Sequence, residues 1–408
     1  MFDQLADIFS SIAFKYLSVV DADPVTSNQH EIGGLSRAGI GQYLGMPADG
    51  SQIKIKATLV YLDEFSSAPV IVEDTVTWYD CRYQDQSRGP EWRLYYKSNE
   101  VSERFQPGDF FLVAFAKDGN LLMIFCPPKS DFEGQVRTLF GARDKAANLT
   151  GLTKVSISSS VIAVPVKLML TQIGIDIGSE RQNYLDEILE RFGESFPKTR
   201  EFSEFSRGLV DEEFCLKATP DAALITWMDT EESAFRQLEK HIVQQKLREG
   251  FGENGDDVDE FVRFSLSVQN RRKSRSGHAF ENHIEVILQG NDVNFNRGAK
   301  SEGRQKPDFL FPSTACYQDL SFSSEKLRIL GAKTTCKDRW RQVLAEAARI
   351  DRKHLITMEP GISLAQTTQM EAMNLQLVVP AGIQSTYLPE QVHWLMSFAD
   401  FIEEIKNI

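Results

Sequence analysis

The sequence predicts an α/β protein of two domains: a mostly β, barrel-like module first, then a mixed α/β domain built on a central sheet. Three observations predict it. Short β-rich runs separated by turn signals fill residues 1–180. From about residue 205 the pattern changes to helices, then strands, then helices again. The chain, at 408 residues, is long enough to bury two separate cores. We place the first domain at 1–180, a linker region at 181–204 and the second domain at 205–408.

In chain order, a helix is expected over Asp3–Leu17, with Leu5, Ile8, Phe9, Ile12 and Ala13 on one face. Strands are expected at Ile53–Tyr61, Val70–Val72, Glu91–Tyr96, Phe110–Phe115 and Leu121–Phe125, with turns at Pro107-Gly108-Asp109 and Lys117–Asn120 between them. Residues 181–192 have helical spacing through Leu185, Ile188 and Leu189. Further on, amphipathic helices are expected over Glu232–Arg248, Val258–Val268 and Gly277–Gln289. Buried strands follow at Phe309–Phe311 and Leu327–Ala332, then a helix over Lys337–Ile350. Strands at His354–Thr357 and Leu375–Pro380 and a helix over Glu390–Ile405 complete the chain.

Composition narrows the function classes. Hydrophobic residues make up 42% and aromatics 10%, as in ordinary globular domains. No run approaches the roughly 20 apolar residues of a membrane span, and the acids among the first residues do not suit a signal peptide. The five cysteines are scattered with no close pair, which reads as reduced thiols in a cytoplasm rather than a disulfide framework or a zinc site. A net charge of −13 means that any nucleic-acid site is local. Basic runs exist at Arg271-Arg272-Lys273-Ser274-Arg275 and between Lys333 and Arg341. Each reads either as a solvated surface or as a grip on DNA phosphates.

The chemistry concentrates between Lys306 and Glu346. Asp308 follows a proline and heads the apolar run Phe309-Leu310-Phe311, so its carboxylate is held at a strand edge. Lys333 ends the next apolar run, and Lys337 follows it closely. An acid and a lysine on neighbouring strand ends are what metal-assisted phosphodiester hydrolysis needs: the acid holds Mg²⁺, and the ammonium sits near the attacking water or the scissile phosphate. Glu346 interrupts an apolar stripe between Val343 and Ile350; it either joins this site or lies at a helix edge beside Arg349. Glu281, on a separate helix, could complete the metal site. The spacing of His278 and His283 is wrong for a zinc shared on one helix face, so both read as structural or DNA-facing. Arg339 can bond guanine and Asp338 can accept from cytosine, with Lys337 beside them. In the first half, His30, Trp78, Tyr79, Arg82, Arg88, Trp92 and Arg93 gather near loops that could read DNA; Trp78 and Tyr79 are equally half-buried strand residues.

With these residues in view, the second half resembles the EcoRII-type restriction endonucleases of the PD-(D/E)xK superfamily. The resemblance rests on residues 267–277, 306–313, 333–347, 362–366 and 377–380. The first half is similar, through its strand order and the Tyr79–Tyr83 loop, to the B3-like DNA-binding domain of that family. The resemblance implies Asp308 and Glu346 as metal-binding acids, Lys333 and Lys337 as catalytic lysines, Glu281 as a helix acid and Tyr317 as an active-site tyrosine. It implies Lys337-Asp338-Arg339 as readers of a CCNGG-like site, CCWGG in our reading, and Trp227 as a wall of the pocket for a flipped base. A homodimer joined through the C-terminal domains, an N-terminal domain that binds a second DNA copy and covers the cleft, and a cognate cytosine methyltransferase as functional counterpart in a bacterial cytoplasm also follow. Arg88–Arg93 departs from the more basic run of the family, which leaves the effector sequence open. The expected function is a Mg²⁺-dependent endonuclease making double-strand breaks in DNA. Its rivals are a modification-dependent endonuclease whose first domain reads methylated cytosine, and a non-catalytic DNA-binding regulator on a nuclease fold.

Overall fold

The computed structural model describes residues 5–23, 30–63, 69–85, 87–142, 151–155, 183–211, 218–253, 255–298, 300–302, 305–336 and 339–408, and the backbone alone at Asp7 and Lys273. The chain divides into two compact units, Met1–Ile177 with Pro360–Ser363, and Gly178–Glu359 with Leu364–Ile408.

The first unit is an eight-stranded sheet. Its strands are β1 (Phe9–Tyr16), β2 (Glu31–Gly33), β3 (Ile53–Tyr61), β4 (Val70–Asp80), β5 (Trp92–Tyr95), β6 (Phe110–Ala116), β7 (Leu121–Cys126) and β8 (Thr153–Val155), in the order β2-β5-β4-β3-β7-β6-β1-β8. Neighbours are antiparallel except β3 and β7. Strand parity divides the side chains between two cores. Ile55, Leu59, Val76, Trp78, Leu94, Phe111, Val113, Met123 and Phe125 share one. Val60, Phe110, Leu112, Leu122 and Ile124 share the other with Val136 and Leu139 of helix α1 (Asp131–Leu139).

The expected helix over Asp3–Leu17 is corrected: a single turn, Leu5–Ile8, leads into β1. β1 lies between β6 and β8 and is buried on both faces, with Ala13 in one core and Ile12 and Phe14 in the other. A strand apolar on both sides has no alternation to separate it from a helix. Its Lys15 is buried and paired with Asp21 at 2.7 Å.

The second unit places helices beside a five-stranded sheet. Residues 185–208, most of the expected linker region, form helices α2 (Leu185–Phe192) and α3 (Thr199–Gly208). Ile188 and Phe202 pack there against Phe235 of α4 (Pro220–Glu249). Helix α5 runs from Val258 to Gly290, so the two helices expected on either side of Gly277 are one. A mid-helix glycine costs about 1 kcal/mol. Contacts on both sides of Gly277 hold α5 to α4: Arg275 bonds Glu231 at 3.0 Å, and His283 Nε2 lies 2.9 Å from Glu231.

Strands β9 (Asn296–Arg297), β10 (Phe309–Phe311), β11 (Arg328–Ala332), β12 (Lys353–Ile356) and β13 (Leu375–Val378) form the sheet in the order β13-β12-β11-β10-β9. β10 is antiparallel to β9 and β11, while β11, β12 and β13 are parallel. Helix α6 (Thr314–Gln318) follows β10, and α7 (Trp340–Leu344) follows β11. The helix expected over Lys337–Ile350 is thus cut to one turn, because Ala347 takes a left-handed φ of 50°. The terminal helix is also interrupted: Pro389–Val392 is a short turn, and α8 (Phe398–Lys406) restarts at Ser397, whose hydroxyl caps Asp400 N at 3.0 Å.

Candidate active site

Antiparallel pairing of β10 and β11 decides the site. Phe309 opposes Leu330, so the residue before β10 and the residues ending β11 meet at one sheet edge. Asp308 Oδ2 accepts there from Ala332 N at 2.7 Å and from Lys333 Nζ at 2.7 Å. Lys333 N donates to Ile356 O at 3.0 Å, which locks the lysine's backbone to β12. Gly331 lets α7 approach: an added Cβ would lie 2.7 Å from Val343 Cγ2.

Glu346 follows α7, in the turn rather than on the helix. Its Oε2 is buried without a hydrogen-bond partner. Burial, reinforced by the negative charge of Asp308, pushes its carboxyl up to about 7. Lys333 and Lys353 pull the other way, the latter a buried lysine whose own pKa burial lowers. An acid buried beside an acid, with one oxygen unsatisfied, is a donor set that fits a cation. Among the described residues no three His, Cys, Asp or Glu side chains converge. Two carboxylates without softer ligands suit a hard ion that keeps several of its waters, such as Mg²⁺.

Around this centre the expected residues separate. Tyr317 is buried, and its hydroxyl donates to Glu302. Glu281 is paired with Arg297 of β9 at 3.0 Å, and Glu285 meets the same guanidinium at 2.6 Å. Arg339 is exposed and bonds Thr335 Oγ1 at 2.8 Å. Lys337 and Asp338, and the side chain of Lys273, lie outside the described residues. Sequence reading missed Glu302 and Lys353; nothing about a lone Glu in a polar stretch or a Lys at a strand start marks it.

These distances lie within the segment that matches a known family. Residues 235–402 match the family model described as EcoRII C terminal. Over 191 residues the chain is 43% identical to the type II restriction enzyme EcoRII of Escherichia coli. Residues 235–402 are similar to an EcoRII C-terminal domain. The chain spans 46% of the length of that relative, through 46% of its own. The chain is also similar to metal-depleted Ecl18kI in complex with uncleaved, modified DNA, at TM-score 0.44 and 18% identity over 54% of this chain and 82% of that one. The UbaLAI restriction endonuclease B3 domain with cognate DNA matches 36% of this chain and 89% of its own length, at TM-score 0.21 and 19% identity.

Within the matched segment, the basic run of α5 is only partly free. Arg275 is corrected from a DNA-facing to an internal residue: it is 5% exposed, bonds Glu231 and Glu232, and lies 4.1 Å over the Phe235 ring. Arg272 Nε bonds Glu239 at 2.7 Å, and Arg271 stacks over Phe196 at 4.5 Å. Arg275→Ala is expected to destabilise the protein by about 3 kcal/mol, because it strands Glu231 and Glu232 in a buried setting. Urea denaturation measures this; unchanged stability with weakened DNA binding would restore the DNA-facing reading. Outside the matched segment, Trp227 packs between His283 and Arg207, each 5.7 Å away.

In the first unit Trp78 and Trp92 are corrected to core residues. Trp78 is fully buried, donates Nε1 to Gly45 O at 2.8 Å and stacks on Trp92 at 5.5 Å. Tyr79, on the opposite face of β4, donates its hydroxyl to Glu31. His30 lies edge-on to Tyr96 at 5.5 Å. Arg82 and Arg93 both pair with Glu91, and Arg88 remains two-thirds exposed beside Asp85. No helix among the described residues is long and apolar enough to cross a membrane.

Proposed function

We propose that this protein is a Mg²⁺-dependent, site-specific deoxyribonuclease that makes double-strand breaks. One observation carries the reading: Asp308 and Lys333 meet at 2.7 Å on adjoining strand ends, next to a buried, partnerless oxygen of Glu346. Asp308 and Glu346 would hold the cation. When bound, that ion supplies an acidified water and a positive charge against the phosphate. Lys333 fixes the Asp308 carboxylate and presents an ammonium to the negative charge that grows on the phosphate in the transition state. Lys337 adds a second positive charge to the reaction. Glu281 acts through Arg297, steadying the strand beside β10. Asp338 and Arg339 read a CCWGG-like site, and Arg271, Arg272 and Lys273 contribute backbone contacts.

A dimer of C-terminal domains gives one active centre per strand. The first unit binds a second copy of the site through His30, Tyr79, Arg82, Arg88 and Arg93, and restrains the nuclease until it does. Burial of Trp78 and Trp92 favours this over a cage for methylated cytosine.

The test is Mg²⁺-dependent digestion of two plasmids, one methylated at the inner cytosine of CCWGG and one not. Discrete fragments from unmethylated DNA alone support the proposal, and stimulation by an added CCWGG duplex supports the role of the first unit. Fragments from methylated DNA alone replace it with the modification-dependent reading. DNA binding without cleavage of either plasmid leaves a non-catalytic regulator.

The elevated Glu346 carboxyl gives the metal requirement a pH dependence. Below about 7 the group holds a proton that a cation must displace. The Mg²⁺ concentration for half-maximal cleavage is expected to rise about tenfold per pH unit below that point and to level off above it. Metal titrations at three pH values on either side of neutrality check this.

A further inference from the structure

Glu346 sits on a turn that would not hold its shape unaided. Ala347 has a positive φ of 50° although it carries a side chain, and it is fully buried. Such a conformation persists where the surroundings over-determine it. Three side chains do so here, two of them from other segments and one from the turn itself. Glu302 Oε1 accepts from Ala348 N at 3.2 Å and from the Tyr317 hydroxyl. Tyr317 Oη accepts in turn from Arg349 N at 3.3 Å. The Arg349 guanidinium reaches back to three carbonyls of the segment that carries Tyr317: to Tyr317 O, to Asp319 O at 3.0 Å and to Phe322 O at 2.8 Å. The two amides that follow Ala347 are thus both taken by the clamp, one through Glu302 and one through Tyr317.

We propose that Glu302 and Arg349 are positioning residues for the nuclease reaction, which with Tyr317 hold the Ala347 turn so that Glu346 faces Asp308. The inference rests on the functional reading above. It also gives Tyr317 a different task from the catalytic one expected from the sequence: its hydroxyl is used up within the clamp. Outer partners that orient a metal ligand govern affinity for the ion, and their loss commonly costs tenfold or more.

The full-length protein is tested as Glu302→Ala, Glu302→Gln, Arg349→Ala and Tyr317→Phe. Mn²⁺ binding is followed by electron paramagnetic resonance without DNA, beside Mg²⁺ titration of cleavage and metal-free gel shifts. Glu302→Ala and Arg349→Ala are expected to weaken Mn²⁺ binding and raise the Mg²⁺ requirement by about tenfold, with metal-free DNA affinity unchanged. Glu302→Gln should recover most of the loss, since its amide oxygen still accepts from Tyr317 and Ala348. Wild-type Mn²⁺ binding in folded Glu302→Ala overturns the clamp. If that variant does not fold, wild-type binding in Tyr317→Phe, which loses one hydroxyl and keeps its ring, overturns it instead. Asp308→Ala separates the two levels. If it binds Mn²⁺ normally, the metal site itself is wrong and the clamp falls with it. If it loses Mn²⁺ while Glu302→Ala does not, only the clamp fails.

Discussion

Asp308→Ala is expected to lower DNA cleavage by on the order of 10³-fold or more, with the protein folded and still bound to DNA. The carboxylate does three things at one sheet edge. It accepts from Ala332 N, it holds the Lys333 ammonium, and with Glu346 it forms the proposed seat of the cation. Alanine removes all three, and no neighbour can substitute: among the described residues no third acid converges on the spot. Lys333→Ala should fall as far by a different route, since it keeps both acids and loses the charge opposite the phosphate together with the ammonium that fixes Asp308. Single-turnover cleavage at saturating DNA and Mg²⁺, with a gel shift in parallel, checks both. Raised Mg²⁺ should recover part of the loss in Asp308→Ala, which removes a proposed ligand of the cation, and none of it in Lys333→Ala, where the missing group acts on the transition state rather than on occupancy. Cleavage within tenfold of wild type in Asp308→Ala would remove the residue from the chemistry. Loss of cleavage together with a lost melting transition would assign it to the fold.

How legible this centre was depends on the range of the forces involved. Asp308 and Lys333 were readable because each adjoins a short apolar run, and antiparallel pairing of two such runs brings their ends together. Glu346 was readable as an acid in an apolar stripe, but its setting was not. The turn at Ala347 is imposed by Glu302 and Tyr317, which are distant in sequence. Tertiary capture likewise overrode local signals on α5. Gly277 looked like a helix boundary until Arg275 and His283 met Glu231 on α4. The same contacts turned a run of bases that looked like a DNA grip into a partly internal ion-pair network. In the first unit, aromatic residues near loops read equally well as base contacts or as core. Which of them hold the core depends on which face of β4 looks inward: Trp78 does and its neighbour Tyr79 does not. Charge and composition spoke to the class of partner, and they could not place a single contact.

Glu346→Gln is expected to abolish cleavage and yet stabilise the protein at alkaline pH. The wild-type carboxyl titrates near 7 in the folded state, against an ordinary value of 4.5. The native state therefore keeps a proton that the unfolded chain releases between those two points. Stability falls as pH rises through that window, and the full penalty stands above about 7. A shift of this size corresponds to about 3 kcal/mol; solvent screening at a half-buried group reduces it to about 1–2 kcal/mol. Glutamine carries no charge at any of these pH values, so its advantage over wild type should be largest at pH 8 and vanish near pH 4. Cleavage, by contrast, should fall by on the order of 10³-fold, because a neutral amide is a poor ligand for a hard cation. Thermal or urea melts at both pH values, beside the cleavage assay, decide it. Equal stability at pH 8 would mean that ionised Glu346 is well solvated and that its missing partner is water. A variant that gains stability and loses activity would show that the folded protein carries an uncompensated charge because a cation is meant to complete it.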